Sequence, residues 1–144
     1  MMPPQISITE FPFFTFLFAD LHAHLIALPF TILAAGIALA LAFNGLRAPP
    51  SDGPPRAWWS RHLAEAPLLL VLALTVGALW ATNSWDFPTY FALGGLGLLI
   101  AELARQPKLR PGLLLWPAAK IAFVLVAAAA LYFPYLHNSR NAYV

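Results

Sequence analysis

Three ionisable residues fall within five positions near the start of the chain: Asp20, His22 and His24, in D-L-H-A-H. A carboxylate beside two imidazoles is a set that can hold a divalent metal ion or move a proton to and from a hydroxyl. In a helix Asp20 and His24 share a face and His22 points nearly opposite, whereas an extended backbone puts all three on one side. The structural alternative is a polar cap, with Asp20 stabilised by the helix dipole. Asp86, set between Trp85 and Phe87, is the second candidate acid. It too has a simpler role available, as the cap of the helix that follows. Glu10, just before F-P-F-F, is the third.

These residues need elements to bring them together, and composition restricts what the elements are. Of the 144 residues, 60% are hydrophobic and 10% charged, against a charged share of about 25% in soluble domains. The chain cannot cover a water-facing surface. A formal charge of +2 is too small to point to nucleic acid, and the absence of cysteine excludes disulfides and thiolate metal sites. Four apolar stretches, 25–43, 66–82, 87–103 and 117–134, suit membrane spans; the first, about 19 residues, is ~28 Å long as a helix. The fold expected is therefore an all-α membrane protein: a polytopic bundle of about four transmembrane helices forming one region over 1–144. Residues 5–19 are rich in phenylalanine but interrupted by Pro12, and they read as an interfacial or re-entrant helix.

Charge sorting orients the bundle. Arg47, Arg56 and Arg61 lie between the first and second stretches, and Arg105, Lys108 and Arg110 between the third and fourth. Lys and Arg stay on the cytoplasmic side. Connections 44–65 and 104–116 are thus expected in the cytoplasm, with both termini outside a cell membrane. The acid–histidine cluster and the tip N-S-W-D then share the outer face. Trp116 and the Tyr132–Tyr135 pair fall where inner and outer aromatic belts belong. Two short spans flanking the tip suggest that Asp86 is recessed below the headgroups. Gly94, Gly95 and Gly97 allow the third span to approach a neighbour closely. Lys120, in the first turn of the fourth, is expected to reach the inner headgroups with its long stem. Glu102 and Arg105 read as an ordinary i,i+3 pair.

Two motifs carry a family resemblance. T-E-F-P-F-F-T-F-L-F-A-D-L-H-A-H-L-I-A-L-P-F is similar to the signature of the multi-spanning "YYY" membrane proteins of archaea and chloroflexi, and N-S-W-D-F-P-T-Y resembles their N-T-W-D-x-P-T-Y. The final L-Y-F-P-Y resembles the end of the following span. Thr9, Ala19 and Ala23 depart from the pattern, where the family has Asn, Gly and Pro. Those proteins are much longer, which implies that this chain is part of a larger membrane protein with further helices. They are grouped with glycosyltransferases that use polyprenyl-phosphate sugars. The resemblance therefore implies an extracytoplasmic transfer site. In it Asp20 and Asp86 are catalytic, Glu10, His22, His24, Trp85 and Tyr90 bind substrate, and Asp20, His22 and His24 are available to a divalent metal. Two other functions fit the residues themselves: a proton- or ion-coupled transporter, with Asp86 and the histidines on an ion path, and a non-catalytic assembly subunit.

Overall fold

The computed structural model describes residues 23–47, 55–105 and 114–141. These form four helices: α1 (Ala23–Arg47), α2 (Pro55–Thr82), α3 (Asp86–Arg105) and α4 (Leu115–Asn141). Among the described residues there is no strand. Each helix is long and apolar enough to cross a membrane, over Leu25–Arg47, Leu63–Thr82, Asp86–Arg105 and Leu115–Tyr135. In hydrocarbon a backbone must satisfy its own hydrogen bonds, and continuous helices do so. The N-terminal segment expected to lie along the interface falls outside the described residues.

The helices run further than the apolar stretches alone indicate. α2 starts at Pro55 rather than after Arg61, because proline at a helix start gives up no hydrogen bond. The connection expected over 44–65 is mostly helix. The second span covers 20 residues, from Leu63, so a short span no longer argues for a recessed tip. α4 continues through Pro134 to Asn141.

The connections divide the bundle into two ends. At the basic end lie the last turns of α1 and α3 and the first turns of α2 and α4. At the tip end lie the start of α1, the α2–α3 turn and the C-terminal part of α4. α1 and α3 therefore run parallel, and they make the most extensive contact in the bundle. Their closeness depends on small residues: a Cβ at Gly97 would stand 2.5 Å from the Ala38 carbonyl oxygen, and one at Gly45 would collide with the Ala101 backbone.

α3 is the central element. A Cβ at Gly94 would lie 3.0 Å from the Leu72 side chain of α2, and one at Gly95 would lie 3.3 Å from Ile121 of α4. Three glycines within four positions thus face three different helices. The main core, around Ile37, Leu41, Leu72, Val76, Leu98 and Val124, joins all four helices. α4 packs on α2 and more lightly on α3, and it barely meets α1.

Candidate functional site at the tip end

The α2–α3 turn is built by its own side chains. Asn83 is buried, and its backbone N–H donates to Leu79 O at 2.8 Å, extending the α2 hydrogen-bond pattern by one residue. Its side-chain amide donates to Asp86 Oδ2 at 2.8 Å, and its side-chain carbonyl accepts from the Trp85 N–H at 3.4 Å. The Asp86 N–H closes the turn on the Asn83 carbonyl at 3.1 Å. Asp86 therefore stands in the first turn of α3, where a carboxylate is favoured by the helix dipole, with Oδ2 held by Asn83. Trp85 is 85% exposed. The next aromatic, Phe87, turns inward: its ring lies 4.7 Å from Trp80 and 5.7 Å from Phe91.

Tyr90 links the tip to α1. It is half-buried against a small cluster of Ala27, Ala34 and Leu79, with Phe30 beside it. Asp86 and Tyr90 are one helical turn apart. The buried positions of α1, Ala27, Thr31, Ala34, Ala38 and Leu41, recur at alternating steps of four and three. His24 is one helical turn before Ala27 on α1. Its side chain, like Asp20, His22 and Glu10 in full, lies outside the described residues. Among the described residues no three His, Cys, Asp or Glu side chains come together.

A second polar cluster sits at the basic end. Glu65 of α2 accepts from Lys120 of α4 at 2.7 Å and is ion-paired to Arg105 of α3. Glu102 lies 3.5 Å from Lys120 and 3.8 Å from Arg105. All four residues are buried. Two carboxylates and two cations thus close a neutral ring across three helices. Lys120 turns into the bundle rather than out to headgroups, because two carboxylates offer it better partners than the interface does. Glu102 and Arg105 are two corners of that ring, not an isolated surface pair. Glu65 gave no such signal in the sequence: it precedes an apolar run, and Arg61, four residues earlier, offers an ordinary i,i+4 neighbour on its own helix.

These features define a polytopic α-helical membrane protein with its polar residues gathered at the two ends of the bundle. The chain belongs to the uncharacterized membrane protein family DUF2298, whose family model matches residues 5–143. No curated protein and no solved structure matches it.

Proposed function

We propose that this chain forms part of a membrane-embedded glycosyltransferase that takes its sugar from a polyprenyl-phosphate donor. The observation that carries this reading is the convergence of α1 and α3 at the tip end. Tyr90, one turn after Asp86, packs on the cluster that contains Ala27 of α1 and supports a site shared by the two helices. The D-L-H-A-H segment leads directly into that helix. The resemblance of both motifs to the glycosyltransferase-related family supplies the reaction class.

In this reading the basic connections face the cytoplasm by the Lys/Arg rule, and the tip opens on the outer face. Asp86 accepts the proton of an acceptor hydroxyl on Oδ1, while Asn83 holds Oδ2. The hydroxyl oxygen bonds to the anomeric carbon, and the bond from that carbon to the phosphate oxygen breaks with its electron pair. Exposed Trp85 offers a flat apolar face to a sugar ring, and Tyr90 and Glu10 line the acceptor side. Asp20 is a second acid for base or metal work, and His22 and His24 orient the acceptor. On the outer side of this arrangement Arg140 is the one Lys or Arg in the sequence. A divalent metal on Asp20, His22 and His24 would supply the charge a phosphate leaving group needs. The outward apolar faces of α3 and α4 suit contact with lipid or with further helices of a longer protein.

The test is Asp20→Asn and Asp86→Asn in the full-length protein, assayed for transfer from a polyprenyl-phosphate sugar. Loss of transfer with wild-type expression and folding is expected. Transfer retained in both variants would leave only the capping role. An ion-coupled carrier is the second reading, favoured by ionisable side chains facing the bundle interior within the spans. Ion flux in vesicles that Lys120→Met abolishes would support the carrier instead.

A further inference from the structure

We propose that the Glu65–Glu102–Arg105–Lys120 ring is a clamp that fixes the basic end of the bundle, so that α4 pivots on it and separates from α3 at the tip end. The two ends of α4 are held by different chemistry. At the basic end Lys120 reaches Glu65 at 2.7 Å and Glu102 at 3.5 Å. Moving α4 away at this level would strand the Lys120 ammonium and leave Arg105 alone to offset two carboxylates in a medium that cannot solvate them. At the tip end α4 is held by neutral groups. The Tyr132 hydroxyl donates to Leu74 O at 3.1 Å, and the Tyr135 hydroxyl donates to Ala81 O at 3.0 Å.

Leu74 O is a mid-helix carbonyl that keeps its helical partner when the phenol leaves. Ala81 O, in the last turn of α2, lies at the helix end where water can replace the phenol. Hydrogen bonds of this kind contribute little to helix association in membranes. The Tyr135 phenol, bonded to the last turn of α2, sits where it can transfer to interfacial water or headgroups, while Tyr132 is seated lower, on Gly77. The α3–α4 contact follows the same gradient. Near the basic end it includes an ion pair and the close seat of Ile121 on Gly95. Toward the tip, Phe87 and Phe91 pack on the core cluster that contains Val124 and Ala128, a contact without polar groups. α1 adds almost nothing to hold α4 in place. Swinging the tip half of α4 outward uncovers the flank of α3 that carries Phe87 and Phe91, next to Asp86. That opening would face the bilayer laterally.

Distance distributions between spin labels test the clamp, and the absence of native cysteine makes labelling clean. One pair, Ala104→Cys with Ala118→Cys, reports the basic end; another, Thr89→Cys with Phe133→Cys, reports the tip. All four positions are exposed. In the full chain in lipid nanodiscs the basic-end distribution is expected to be narrow and the tip distribution broader. Lys120→Met should broaden the basic end. Glu65→Gln combined with Lys120→Met serves the same purpose if the single variant fails to fold. Distributions of equal width at the two ends, or an unchanged basic end in the variants that fold, would overturn the clamp.

Discussion

The Lys120 ammonium stands 2.7 Å from the Glu65 carboxylate, joining two helices through residues 55 positions apart. Each charge alone would be expensive at this depth; together with Glu102 and Arg105 they make a unit of zero net charge. Such units contribute more to the choice of helix partners than to net stability.

Removing one member should therefore cost much more than removing an opposed pair. Lys120→Met leaves Glu65 and Glu102 with less compensation and is expected to lower stability by about 3–5 kcal/mol. Glu65→Gln together with Lys120→Met should recover a large part of that loss. Thermal unfolding in one detergent, arranged as a double-mutant cycle, measures the coupling. Additive effects would mean that the pair does not act as a unit.

The parallel α1–α3 contact depends on the absence of side chains. Gly97→Ala places a methyl group against the Ala38 carbonyl and is expected to destabilise by roughly 1–3 kcal/mol. Gly36, on the same helix as Ala38, has nothing within 4 Å of the corresponding position. Gly36→Ala should be neutral or stabilising by up to about 1 kcal/mol, because alanine is the better helix former. Melting temperatures of the two variants should move in opposite directions.

At the tip, structural and chemical roles of Asp86 separate by substitution. Asp86→Asn keeps an oxygen for the Asn83 amide and should alter stability by only a few tenths of a kcal/mol, whereas Asp86→Ala should cost about 1 kcal/mol. A melting curve for Asp86→Asn as low as that of Asp86→Ala would show that the charge itself holds the turn. Near-native stability combined with lost transfer would assign the charge to chemistry.

Orientation is tested without reference to activity. An impermeant thiol reagent applied to intact cells should label Asn138→Cys, on exposed α4, and spare Ser51→Cys. The reverse pattern would place the tip and the D-L-H-A-H segment in the cytoplasm.

Much of the fold was legible because hydrocarbon imposes length and apolarity on every span. The four helices and the tight N-S-W-D turn followed from those constraints. Gly94, Gly95 and Gly97 announced close packing, though nothing in their spacing said that each would meet a different helix. The ring was hidden for a different reason. Pairing between Glu65 and Lys120 depends on how α2 and α4 are rotated, and neither residue has a sequence neighbour that reveals it. Lys120 in a first turn looks the same whether it reaches out to lipid or in to a carboxylate. Asn83 was read as a turn former, and its hold on the Asp86 carboxylate needed the turn's geometry. The D-L-H-A-H cluster stays where the sequence put it, as a candidate tied to the described helices through α1 alone.

The three glycines of α3 also restrict how this helix can respond to anything that binds. Each fits one neighbour, with Leu72, Ile121 and Ala38 filling the space a side chain would occupy. Turning α3 about its own axis by one residue, about 100°, would carry bulky Leu93, Leu96 or Leu98 into gaps shaped for hydrogen. Axial rotation is thereby opposed by contact on three sides. The carboxylate of Asp86 therefore keeps its compass bearing at the tip, so whatever binds there meets an acid that cannot be turned away from it.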